Sequence, residues 1–207
     1  MKDIFEEKQI APMLIGAESG PFDDEGCIYE LKLDGVRGLA YLDADCCELR
    51  NKRNIRVSPI YPELANINKQ VNQRCILDGE IVVIKDGKPN FFEMQRRALM
   101  SDKVKISLAA ARLPVSFIAY DILYIGNERI THLPLMERKR ILADVVKECD
   151  RLAISRYING KGIALYNQAV QQELEGVVAK RKDSKYYFGK RSKDWIKVKY
   201  LKDEDYV

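Results

Sequence analysis

With 207 residues, 46% of them hydrophobic, and a formal net charge of +4, the chain is long enough to bury a core without disulfides or metal staples. Its five cysteines are odd in number and form no C-x-x-C pair, which speaks against a secreted disulfide framework and against a zinc site. The N-terminus lacks an apolar leader and no apolar run approaches membrane-spanning length, so the expected compartment is the cytoplasm, with no membrane partner. Residues 27–42 read as two strands broken at Asp34-Gly35, a dipeptide suited to a tight turn with positive φ. A strand over 75–84 then turns at Asp86-Gly87 and returns through Phe91 and Phe92, and a helix is expected from Glu93 to about Met100. Residues 115–124 are β-rich, Pro134 precedes a helix running from Leu135 to about Cys149, and Leu152 to Ser155 form a short strand. A helix over 162–173 and strands over 176–180 and 195–200 complete the pattern. Strand pairs with helices inserted between them predict an α+β fold with more than one sheet, in a single domain because no linker or repeat divides the chain.

Charge is concentrated toward the C-terminus. Residues 180–202 carry ten basic side chains against Asp183 and Asp194, a local balance of +8 that leaves the remainder at −4. Such a run is commonly a solvated face, but Tyr186, Tyr187, Phe188 and Trp195 are interleaved with the cations and would offer flat surfaces to a nucleic acid.

One short motif carries chemistry. Lys32-Leu-Asp-Gly-Val-Arg37 contains K-x-D-G-x-R, which places a lysine at a strand end beside a turn, held rigidly, a competent nucleophile once its amine is freed of its proton. Further segments follow in order: Asn51-Lys-Arg-Asn-Ile-Arg-Val-Ser-Pro-Ile-Tyr-Pro-Glu-Leu64, Leu77-Asp78-Gly79-Glu80, Phe92-Glu-Met-Gln-Arg-Arg97, Ala119-Tyr120-Asp121-Ile-Leu123, Glu175-Gly-Val-Val-Ala-Lys180 and Trp195-Ile-Lys197-Val-Lys199. Nearly the whole chain thereby resembles the covalent nucleotidyltransferases, and among them the ATP-dependent DNA ligases, particularly the small bacterial end-joining type. The second segment departs from the family pattern, with Asn54 for glycine and Arg56 for aspartate, and either Lys52 or Arg53 stands for its functional base.

The resemblance implies a nucleotidyltransferase fold, antiparallel sheets flanked by helices around an ATP cleft, acting as a monomer. It makes Lys32 the catalytic nucleophile that takes AMP from ATP and passes it to a DNA 5′-phosphate for nick or break sealing. Glu80 would meet the ribose and, with Glu175, a Mg²⁺ or Mn²⁺ ion. Tyr120 would stack on adenine, Glu30 would lie near its amino group, and Arg37 would meet the ribose or the DNA phosphate. Arg53 and Lys180 belong to the implied nucleotide-binding set. Lys197 and Lys199 alternate on one strand, so both point to one face, toward the triphosphate and near enough to Lys32 to ease its deprotonation. Nicked or broken duplex DNA is the implied partner, gripped through its phosphates. The chain stops soon after the last motif, so the OB-fold domain that the resemblance implies is expected outside this sequence. RNA ligase and mRNA-capping guanylyltransferase share K-x-D-G, and a catalytically dead nucleic-acid-binding domain is the reading from another class. His132 reads as a loop residue and Arg138 as a charge on an exposed helix.

Overall fold

A computed structural model describes residues 3–200. In chain order the elements are α1 (Ile4–Glu7), β1 (Leu14–Glu18), β2 (Asp24–Leu31), β3 (Val36–Asp43), β4 (Cys46–Asn51), β5 (Cys75–Lys85), β6 (Lys88–Pro89), α2 (Phe91–Ala98), α3 (Lys103–Arg112), β7 (Val115–Ile125), β8 (Glu128–Arg129), α4 (Leu135–Val145), β9 (Leu152–Ile154), β10 (Tyr157–Gly160), α5 (Gly162–Gln171), β11 (Gly176–Arg181) and β12 (Arg191–Lys199). They build two sheets. The first runs β1-β12-β11-β2-β10, and the second runs β4-β3-β5-β7-β8, with β6 joined to β5 and β9 to β7. The expected antiparallel pairing holds except that β1 pairs β12, and β9 pairs β7, in parallel.

Period-two alternation sorts the core. On β3, Leu39 and Tyr41 join Ile76, Trp195 and Tyr186 in one apolar cluster, while Ala40 and Leu42 turn to the other side and pack with Leu77, Phe117 and Leu142. On the first sheet, Tyr29 and Ala179 pack with Leu165 of α5, which covers that face. Because β2 and β3 lie in different sheets, the four residues between them, 32–35, bridge the two and sit at the mouth of the cleft.

Several sequence expectations change here. Neither Asp34 nor Gly35 is among the positive-φ residues. Gly35 is demanded instead by close approach, since a Cβ there would collide with the carbonyl oxygen of Ile81 on β5. Asp86 and Gly87 do take positive φ, 52° and 78°, as the hairpin requires. The return strand is only Lys88–Pro89. Phe91 and Phe92 already belong to α2, whose N-cap Asn90 accepts a hydrogen bond from the Glu93 amide at 2.9 Å. Helix α4 ends at Val145 rather than near Cys149, because Val146 pairs with Val71 in an isolated bridge. Strand β12 starts at Arg191 and stops at Lys199, one residue before the expected end. Arg138 is not on an exposed face: it is 0% accessible and clamps the equally buried Asp121 at 2.8 and 2.9 Å. His132 lies in an exposed turn, as expected. No helix among the described residues is long and apolar enough to cross a membrane.

Candidate active site

A cavity of about 270 Å³ opens between the two sheets, lined by Glu30, Lys32, Arg37, Lys52, Glu80, Tyr120, Lys180, Arg191, Trp195 and Lys197 with apolar walls from Leu14, Ile15, Leu31, Leu33 and Val178. Seven of the ten nucleotide-binding residues expected from sequence thus converge on one space: Glu30, Lys32, Arg37, Glu80, Tyr120, Lys180 and Lys197. Glu175 touches Lys32 from a recess on the other side of that lysine. Lys199 is not part of the cavity wall, though its charge acts on Glu175. Arg53 lines an adjoining recess of about 280 Å³ together with Lys52, Arg37 and Glu80, whereas Lys52 borders both spaces. Of the two candidate bases in the 51–56 loop, Lys52 is therefore the one that faces the main cavity. Asn54 takes φ 61°, the left-handed conformation for which the related pattern uses glycine and which asparagine tolerates better than most residues.

Lys32 follows the last residue of β2 and its amide donates to the Gly176 carbonyl at 2.9 Å, which ties the nucleophile candidate to β11. Its ammonium contacts Glu175 Oε1 at 2.5 Å. The group beside Lys32 is thus a carboxylate rather than the expected pair of lysines, and Lys197 pairs with Glu18 at 2.8 Å. Burial raises the Glu175 carboxyl above its usual value, against the pull of Lys32. Half-buried Glu80, on β5, is pushed up to about 8 by burial, with Arg37 and Lys32 opposing and Asp78 and Glu175 adding to the rise.

Glu30, only 2% exposed, is gripped by two lysines, Lys139 from α4 and Lys180 from β11. Lys180 also lies 4.3 Å from the ring centres of both Tyr120 and Trp195, and burial lowers its pKa while Glu30 raises it. Tyr120 and Trp195 meet edge to face at 6.2 Å. Tyr120 owes its place to an irregularity: the β5–β7 register jumps between Asp78 and Gly79, which pair with Asp121 and Ala119, so Tyr120 is the extra residue of a bulge. Arg37 holds Asp78 through Nε at 2.7 Å and Nη2 at 2.6 Å, and its guanidinium lies 5.0 Å from the Tyr120 ring centre.

Lys139, Asp78 and Tyr186 were not singled out as site residues from sequence, because their partners Glu30, Arg37 and Asp78 lie 109, 41 and 108 positions away from them. The basic C-terminal segment also needs correction. Lys180, Tyr186 and Trp195 are buried, so the large aromatics that the described part of this segment offers to solvent are Tyr187, 44% exposed, and Tyr200, 40% exposed, beside exposed Lys185, Lys190, Arg191 and Lys193. Lys202 lies outside the described residues.

Residues 16–199 match the family model described as ATP dependent DNA ligase domain. The chain is 31% identical over 189 residues to the SPbeta prophage-derived DNA ligase-like protein LigB of Bacillus subtilis, covering 91% of this chain and 67% of that protein. It is 31% identical over 209 residues to DNA ligase C of Mycobacterium tuberculosis, covering 96% and 56%. Among solved structures, mycobacterial DNA ligase D complexed with ATP and MES superposes with a TM-score of 0.79 at 27% identity, covering 94% of this chain and 62% of the other. The chain thus spans between about half and two thirds of these relatives' lengths.

Proposed function

This chain belongs to the ATP-dependent DNA ligase domain family, and from that premise we propose that it takes AMP from ATP onto Lys32 and transfers it to a DNA 5′-phosphate. The observation that carries the reading is that Lys32 and Glu80 line one cavity with Tyr120, Glu30 and Lys197, while Glu175 contacts Lys32 from the adjoining recess. In the first step the Lys32 amine attacks the α-phosphorus. A nitrogen–phosphorus bond forms and the bond to pyrophosphate breaks, with both electrons leaving on pyrophosphate. The ammonium proton must go first, and Glu175, 2.5 Å away and raised in proton affinity by burial, is placed to take it. In the second step a DNA 5′-phosphate oxygen displaces Lys32 from AMP. A neighbouring 3′-hydroxyl then displaces AMP and closes the backbone.

Tyr120 offers its ring to adenine. Glu30, oriented by Lys139 and Lys180, offers carboxylate acceptors to the exocyclic amine. Lys197 and Lys52, which line the cavity, would meet the phosphates, Lys199 adds charge beside Glu175, and Arg53 would approach the nucleotide from the recess it shares with Lys52 and Arg37. Burial raises the Glu80 and Glu175 carboxyls despite the cations beside them, and two carboxylate oxygen donors beside the phosphate site suit a hard cation. Mg²⁺ or Mn²⁺ held by them would neutralise charge on the phosphates. The substrate we propose is nicked or broken duplex DNA, with an OB-fold domain of the kind found in such ligases completing the grip. Intact-mass measurement after incubation with ATP and magnesium should show one added AMP, lost in Lys32→Ala. An adduct that persists in that variant would refute the assignment.

A further inference from the structure

Beneath the cavity, four groups close a hydrogen-bonded ring. The Tyr186 hydroxyl donates to Asp78 Oδ2 at 2.7 Å and accepts from the Met13 amide at 2.9 Å. Arg37 Nη2 donates to the same Asp78 oxygen at 2.6 Å and to the Met13 carbonyl at 3.0 Å. Asp78 and Met13 are 0% exposed and Tyr186 is 3% exposed, so water cannot replace a missing partner cheaply. Burial beside Asp78 holds the Tyr186 phenol proton well above its usual range, which keeps the hydroxyl a donor toward that carboxylate. The ring joins β3, β5, the segment entering β1 and the loop between β11 and β12. Two consequences reach the cavity: Arg37 is held over Tyr120, and Met13 fixes the start of the wall formed by Leu14 and Ile15.

Resting on the ligase reading of this cavity, we propose that Tyr186 is a positioning residue for nucleotide binding, acting through Asp78 on Arg37 and through Met13 on the β1 wall. Lys32 and Glu175 lie outside the ring, so the chemical step does not depend on it. Tyr186→Phe keeps the ring contacts to Phe188 and Trp195, 5.7 and 5.9 Å between centres, and removes the hydroxyl alone.

The test uses the 207-residue chain, with ATP affinity read by isothermal titration and AMP loading read by single-turnover mass spectrometry. Tyr186→Phe should weaken ATP binding by about tenfold, the order expected for a lost hydrogen bond to a charged group, while the loading rate at saturating ATP stays within about twofold of wild type. Arg37→Lys should also weaken binding, and the loss in the double variant should fall clearly short of the sum of the two single losses, because both changes act on the shared linkage through Asp78. A loss of stability with no other role would leave ATP affinity unchanged at temperatures well below unfolding, and that result would overturn the proposal. So would fully additive losses in the double variant, or a loading rate that falls at saturation with affinity intact. A wild-type chain that neither binds ATP nor gains AMP would overturn the ligase reading and this inference together, whereas normal wild-type binding with an unaffected Tyr186→Phe would overturn this inference alone.

Discussion

Glu175 and Glu80 share a cleft but have different neighbours, and this separates their expected behaviour. Glu175 directly contacts Lys32, the proposed nucleophile. Glu175→Gln keeps the shape and loses the proton acceptor, so AMP loading at saturating ATP should fall by about 10² to 10⁴ fold while ATP affinity changes little. Equal loading in a rapid-quench comparison would remove Glu175 from proton transfer. Glu80 faces Arg37, Lys32, Asp78 and Glu175, and its carboxyl in the folded chain stands at about 8 against an ordinary 4.5. Its protonated form is thus the one the fold favours. The penalty for ionising it is absent below about pH 4.5, accumulates as pH rises, and is complete above pH 8. The melting temperature of Glu80→Gln should therefore gain on that of wild type as pH is raised from 5 to 9. A difference that stays flat across this range would show that the site does not hold Glu80 protonated. At this scale the sequence picked out Lys32, Glu80 and Glu175, which the fold brings near one another, because each lies in a short motif. It gave no sign of Lys139 and offered Tyr186 only as a nucleic-acid surface, because the partners of both lie more than a hundred positions distant.

Among the elements, β7 shows how an irregularity serves the site. A regular β5–β7 ladder would alternate side chains without interruption, whereas the bulge inserts Tyr120 as an extra residue that turns its ring into the cavity. Close approaches lock the same region. A Cβ on Gly79 would strike the Ile118 carbonyl and the Phe117 ring, and one on Gly35 would strike the Ile81 carbonyl. Gly35→Ala should cost about 1–3 kcal/mol of stability in denaturant titration, because backbone must shift to admit the methyl, and it should slow AMP loading by moving the adjacent Lys32 turn. Unchanged stability would mean that the turn relaxes freely. The strands that carry the motifs were legible because they are long and apolar. Strand β1 was not, since none of its five residues is fully buried and its one partner is distant β12. Strand β10 presents two exposed positions in four residues, and α3 buries only Ile106, so neither leaves a clear periodic stripe.

For the molecule as a whole, the two sheets divide labour: β2, β11 and β12 carry Glu30, Lys180 and Lys197, while β3, β5 and β7 carry Arg37, Glu80 and Tyr120, and Lys32 sits on the connection between them. The outer basic face is a separate feature. Replacing exposed Lys190 and Lys193 with glutamine should weaken binding of a nicked duplex and reduce its salt dependence while leaving AMP loading intact. DNA binding that is indifferent to these changes would assign the grip elsewhere. Inside the cleft the charges are arranged differently, for Lys32, Arg37, Lys180 and Lys197 each already face a carboxylate: Glu175, Asp78, Glu30 and Glu18. The cleft therefore carries its own counterions, built into the chain. On the proposed reading, Lys197 would exchange the Glu18 anion for a phosphate when a triphosphate arrives and would shed few ions to the solvent, unlike a surface lysine meeting DNA. A plot of log Kd against log potassium chloride concentration should accordingly be shallow for ATP and steep for duplex DNA on the same molecule, and Glu18→Gln should steepen the ATP line as mobile chloride takes the place that the side chain gave up.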